Sequence, residues 1–154
     1  KKGCCKMTVS ERDNPLLFYF DMKEVFKNAV AKVWGKEGKN WMQGEFESIG
    51  HYCLVGGIAQ ALVNTHADGF NNFDQVYFDG EHFDDIEELS NFIVDDLDQL
   101  LLPLVQDNKR DKHTRLYNSI TEYNDNALRE FEDITDLIDK ATDEINDQQF
   151  NGGY

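Results

Sequence analysis

Four histidines, three cysteines and thirty acidic residues are the groups in this 154-residue chain with the most chemistry to offer. His51 stands two residues before Cys53, a pairing that by composition suits a thiol nucleophile and an imidazole base. Joined in one pocket with Asn124, it gives a small-enzyme or ligand-binding reading. Cys53, however, opens the stretch Cys-Leu-Val-Gly-Gly-Ile-Ala-Gln-Ala-Leu-Val, and an apolar setting of that kind favours an inert core thiol. The chain has no G-x-S-x-G, no phosphate-binding glycine loop and no H-E-x-x-H. Among its soft ligands, Cys4, Cys5, His51, Cys53, His66 and His82 show neither C-x₂-C nor H-x₃-H spacing, and His113 adds none, which argues against zinc. Asn64, His66, Asp68 and Gly69 echo the start of a calcium loop, but His66 and Gln75 fall where carboxylate ligands belong. Glu37-x-Lys39 matches a fragment of a nuclease motif without its strand context. These residues lead us to expect no catalytic set, no metal and no cofactor.

The carboxylates are a different matter, because their placement is uneven. The net charge is −15. Residues 1–50 carry nine Lys/Arg against seven Asp/Glu, and residues 51–154 carry six against twenty-three. No Lys or Arg occurs from residue 40 to residue 108. Ordinary surfaces intersperse both signs, since like charges at i,i+4 repel by a few tenths of a kcal/mol. A field of this sign repels nucleic acid and anionic membranes and favours a basic protein partner. A saline habitat would favour the same composition with no partner at all.

Several elements must position these groups. The run Leu16-Leu17-Phe18-Tyr19-Phe20 reads as a strand or the entry to a helix. From Asp21, apolar Val25, Phe26, Ala29, Val30 and Val33 recur at helical spacing, with Lys23, Lys27 and Lys32 opposite and Gly35 and Gly38 as stop signals. A helix over 52–63 is apolar nearly all round, so it should be the buried centre. Its Gly56 and Gly57 weaken a helix by about 1 kcal/mol each, which implies a neighbour in close approach. Residues 64–83 read as a long aromatic-rich connection with a short strand over 75–78. Asp84 or Asp85 then caps a helix, with Glu87 or Glu88 at capping-box spacing. Its face Ile86, Leu89, Ile93, Leu97, Leu100 opposes Asp84, Glu87, Glu88, Asp95 and Asp98. Pro103 closes or kinks it. A fourth helix carries Leu116, Tyr117, Ile120 and Tyr123. A last one turns Leu128, Phe131, Ile134, Ile138, Ala141 and Ile145 inward and Glu132, Asp136, Asp139 and Asp143 outward. The expectation is therefore an all-α, single-domain bundle of about five helices around a buried central one, spanning 15–148 between a tail at 1–14 and a frayed end at 149–154.

Three short motifs stand in order along this scaffold: Trp41-Met42-Gln43-Gly44, Tyr52-Cys53-Leu54-Val55-Gly56-Gly57, and Tyr123-Asn124-Asp125 before the last amphipathic helix. Together they resemble a domain-of-unknown-function family of small helical proteins from bacteria and their phages. That family shows a W-x-Q-G loop, a C-x-x-G-A helix start and an aromatic-Asn-Asp turn. The resemblance covers about residues 22–146 and departs at Gly57, where Ala is usual, and in an acidic insertion around 68–96. It implies an all-helical fold and a phage origin, and no activity. Read physically, Trp41, Gln43, Gly44, Cys53, Gly56, Gly57, Asn124 and Asp125 would form a structural knot, with Asn124 or Asp125 as a cap.

The odd cysteine count with an adjacent pair is no disulfide framework, and no apolar run approaches the length of a membrane span. Both fit a cytoplasmic protein, in a bacterial host if phage-encoded. The chain starts Lys-Lys-Gly, which leaves room for residues upstream. The function expected is a non-enzymatic acidic protein-binding module, a nucleic-acid mimic that inhibits a basic host protein of defence or transcription. Its partner-binding face would be Asp84, Glu87, Glu88, Asp95, Asp98, Glu132, Asp136, Asp139 and Asp143, with no direct nucleic-acid or membrane contact. The alternatives are a phage structural or assembly protein whose acidity serves solubility, and the His51/Cys53/Asn124 pocket.

Overall fold

A computed structural model describes residues 14–66, 77–78, 80–105 and 117–145. The first of these residues already corrects the expected tail, because Asn14 is fully buried. Its side chain accepts from Leu16 N and so caps α1 (Pro15–Tyr19), while its Nδ2 donates to the Asp96 carbonyl at 2.9 Å. Asparagine is a preferred cap and proline a preferred first helical residue, which settles the Leu16–Phe20 ambiguity in favour of helix.

Asp21 caps α2 (Met22–Asn28). The helix continues as a π-helical turn over Ala29–Val33, closed by Trp34 N donating to Ala29 O. Val33 and Trp34, neighbours in sequence, are both buried there. Gly35 at φ +79° ends the element, a backbone conformation that glycine adopts freely.

A hairpin follows that the sequence pattern does not announce: β1 (Glu47–Ser48) pairs antiparallel with β2 (His51–Tyr52). Its two turn residues, Ile49 and Gly50, both have positive φ, as a type I′ turn requires. Ile49 is a β-branched residue in the left-handed region and is 93% exposed.

The central helix α3 runs Leu54–His66, two residues later at its start than expected and three later at its end. Leu54, Val55, Ile58, Ala59, Ala61, Leu62 and Val63 are all buried, and α3 packs against α2, α4 and α5. Asn64 and His66 lie on this helix, so a calcium loop cannot begin there. A second hairpin pairs β3 (Tyr77–Phe78) with β4 (Glu81–His82), placing a strand at the end of the expected 75–78 segment. The rest of that segment lies outside the described residues.

The longest helix is α4 (Ile86–Val105). Ile86, Leu89, Ser90, Ile93, Leu97, Leu101 and Val105 form its buried stripe; burying a Leu or Ile side chain stabilises a fold by about 1.5–3 kcal/mol. Leu101, not Leu100, continues the stripe, and Leu100 is half-buried. Pro103 falls in the last described turn. The fourth expected helix is shorter than its apolar residues suggest. Ser119 caps α5 (Ile120–Asn124), leaving Tyr117 buried ahead of the helix and Leu116 outside the described residues.

The last helix, α6 (Phe131–Glu144), buries Ile134, Leu137, Ile138 and Ala141. Leu128 precedes it and is 64% exposed, against the expectation that it faces inward. The architecture is thus mostly helical, with six α-helices and two hairpins of two-residue strands among the described residues.

Candidate functional site

Asn124 is the C-terminal residue of α5 and is fully buried. Its Oδ1 accepts from Trp41 Nε1 at 2.8 Å and from Leu54 N at 3.1 Å. Its Nδ2 donates to the Met42 carbonyl at 3.2 Å and to Asp125 Oδ1 at 3.0 Å. An asparagine amide has two acceptor sites and two donors, so nothing is left over for a ligand. One of those bonds satisfies Leu54 N, a first-turn donor of α3 that no helical carbonyl can reach.

The remaining motif residues close around this centre. Gln43 Nε2 donates to the carbonyls of Asn124 and Asn126, both at 2.8 Å. Gly44 N donates to Asp125 Oδ1 at 2.9 Å. Cys53 Sγ accepts from Gly56 N at 3.4 Å, and the Cys53 carbonyl accepts from Trp34 Nε1 at 3.2 Å. Both glycines are demanded by neighbours: a Cβ on Gly56 would meet Phe46 O at 1.8 Å, and one on Gly57 would meet Trp34 Nε1 at 2.2 Å. The structure therefore brings together Trp41, Gln43, Gly44, Cys53, Gly56, Gly57, Asn124 and Asp125, and spends their polar groups on one another.

This geometry weighs against the nucleophile arrangement. His51 is exposed, and its Nδ1 lies 3.2 Å from Ile49 O. Cys53 is 2% exposed, and burial pushes its thiol up to about 11; a thiol protonated at neutral pH is a poor nucleophile. Among the described residues no three His, Cys, Asp or Glu side chains converge as metal ligands.

Spacing did not reveal Arg129, a cation only 6% exposed. Its guanidinium lies 3.6 Å from the centroid of the Tyr123 ring. Nε donates to the Tyr123 carbonyl and one terminal nitrogen donates to Tyr117 Oη, both at 2.8 Å, and the other approaches Asp133 at 3.8 Å. Its i,i+4 relation to Asp133 was the one local signal.

The acidic face divides in two. Asp84, Glu87 and Asp95 on α4 and its approach are exposed and accept no side-chain hydrogen bond among the described residues; Asp136, Asp139 and Asp143 on α6 are likewise exposed. Glu132 is exposed as well. Glu88 and Asp98 belong to the fold instead. Asp85 Oδ1 accepts from Glu88 N at 2.8 Å, capping α4, and Glu88 Oε1 accepts from Asp84 N at 2.6 Å, one residue ahead of that cap. Asp98 is half-buried, and its Oδ1 accepts from Ile120 N at 2.7 Å, capping α5 from a neighbouring helix. Burial, and then Asp95 nearby, raise its carboxyl above 3.8, while the Ile120 bond opposes them.

Between the β1–β2 hairpin, the start of α4 and the end of α5 lies a cleft of about 400 Å³. Its walls are Gly44, Glu45, Phe46, Glu47, Cys53, Asp85, Ile86, Glu87, Thr121 and Asp125. No family model matches the chain, and no curated protein or solved structure matches it either. No helix among the described residues is long and apolar enough to cross a membrane.

Proposed function

We propose that the chain is a non-enzymatic acidic binding module that occupies the nucleic-acid-binding surface of a basic protein. A phage-encoded inhibitor of host defence or transcription is the instance that the motif resemblance suggests. One observation carries the reading. Within the run from 40 to 108 that lacks any Lys or Arg, Asp84, Glu87 and Asp95 stand exposed with no fold partner. Carboxylates that are exposed and accept no hydrogen bond in their own fold are suited to meeting cations elsewhere. Proteins that bind nucleic acid present the complementary surface, a row of Lys and Arg spaced for phosphates.

The test uses a charge reversal chosen to spare the fold. Glu88 is left in place, because its carboxylate accepts from Asp84 N just ahead of α4. A triple variant Asp84→Lys, Glu87→Lys, Asp95→Lys is compared with the wild-type chain for capture of basic proteins from host lysate. Capture should be lost in the triple variant and at roughly 0.5 M salt, where screening shortens to a few ångströms. Added double-stranded DNA should release the captured protein by competing for the same groove. Capture that survives both the reversal and the salt would overturn the reading.

A further inference from the structure

The cleft beside the β1–β2 hairpin extends that reading by supplying a specific seat for part of the partner. Its volume of about 400 Å³ lies near the lower end of ligand pockets, large enough for one long side chain. Five of its lining residues are carboxylates (Glu45, Glu47, Asp85, Glu87 and Asp125), and none is a cation. They come from three separate parts of the chain, so the fold, not local sequence, brings them to one concavity. Glu47, Asp85 and Asp125 each give one oxygen to the fold, at Gly50 N, Glu88 N and Gly44 N. Glu45 and Glu87 are exposed and give none among the described residues. Apolar Phe46 and Ile86 line the same cleft.

A lining of both carboxylates and apolar side chains matches a side chain that has a methylene stem and a cationic head. An anion would be repelled. A divalent cation would need converging ligands, and no such set exists among the described residues. Between the two cationic side chains, arginine fits better, since its planar fork presents five N–H donors to carboxylates in several directions at once. The walls are also held in advance. Asp125 fixes Gly44, Cys53 N donates to Phe46 O at 3.2 Å, and Gly56 lets the Phe46 carbonyl approach. A pre-formed seat avoids the ordering cost of binding.

We infer that this cleft receives an arginine side chain of the basic protein partner. The inference rests on the acidic-binder reading and adds to it the position of an anchoring residue, the type most enriched with aromatics among binding hot spots. Glu87 belongs to both the cleft and the exposed face of α4; the other exposed carboxylates of α4 and α6 would contribute long-range attraction.

The experiment titrates the full chain with an acetylated (Arg-Gly)₃ peptide and with its lysine counterpart, read by amide chemical shifts and by calorimetry. Two charge-matched variants are compared, Glu45→Gln/Glu87→Gln in the cleft and Asp136→Asn/Asp139→Asn on α6. The expected result is about a tenfold loss of arginine-peptide affinity in the cleft variant and less than twofold in the α6 variant. The arginine peptide should bind more tightly than the lysine one and shift the amides of Phe46, Ile86 and Thr121. Equal losses from the two variants would overturn the cleft and leave the acidic-binder reading standing. No binding of either peptide at low salt would overturn both.

Discussion

The knot around Asn124 and the outer face of α4 are built from similar polar groups put to opposite use. In the knot, one buried amide makes four hydrogen bonds, and each partner is itself buried or bound to the fold. On α4 and its approach, Asp84, Glu87 and Asp95 are exposed and accept no side-chain hydrogen bond among the described residues. The difference separates residues kept for architecture from residues available to a partner. It also explains why acidity alone is a poor guide. Asp98 lies in the acidic run and yet caps α5, and Asp125 holds the Gly44 loop while one face of it borders the cleft.

The largest expected effect breaks the knot. Asn124→Ala orphans Trp41 Nε1 and Leu54 N in a buried site, at about 1–3 kcal/mol for each unsatisfied group, so a loss of about 3–5 kcal/mol is expected from the urea midpoint. Asn124→Asp should cost nearly as much. It keeps the acceptor but removes both donors and places a second carboxylate against Asp125. A loss below about 1 kcal/mol in either variant would show that the knot is ornamental to stability.

A smaller effect tests Gly57, the second glycine in the first turn of α3. Gly57→Ala gains about 1 kcal/mol in helix propensity, but its Cβ would strike Trp34, which is fully buried and cannot swing away. Net destabilisation of about 1–3 kcal/mol is expected, as for overpacked cores. A stabilised variant would mean that Trp34 yields and that the close approach is not required.

The smallest effect sharpens the border between the two regions. Asp98→Asn keeps an oxygen for Ile120 N while removing a desolvated charge beside Asp95, so stability at neutral pH should change by less than about 0.5 kcal/mol. Asp98→Ala should lose about 1 kcal/mol as a missing cap. The wild-type carboxyl titrates above its usual 3.8 when folded, so the native state binds more protons just above that pH than the unfolded chain does. Its contribution to stability therefore falls as pH rises through that window. The asparagine variant should lack that component, as thermal melts across the acid range would show.

Much of the scaffold was legible because apolar residues recur at helical spacing. Ile86, Leu89, Ile93 and Leu97 mark α4, Ile134, Ile138 and Ala141 mark α6, and the nearly continuous apolar stretch marks α3. The three short motifs named the residues that the structure gathers around Asn124. What touches them was not readable, since Gly56 and Gly57 announce a close approach without saying that Phe46 and Trp34 make it. The β1–β2 hairpin escaped detection for two reasons. Two-residue strands carry no period, and Ile49 occupies a turn position where Asn or Gly would have been the signal. The burial of Asn14 and the capping by Asp98 depend on partners 82 and 22 residues away, beyond any local pattern. Leu128 misled because an apolar residue in register with α6 lies ahead of its first turn.

The chain's two tryptophans have a spectroscopic consequence. Trp34 packs over Gly57 and Trp41 is bonded to Asn124, so intrinsic emission reports one locality and is silent about the far ends of α4 and α6. Circular dichroism, by contrast, is dominated by those long helices. If the two signals melt together, knot and helices are one cooperative unit. If emission changes first, the knot is the weaker part, and the hairpin that walls the cleft would loosen while the helices persist.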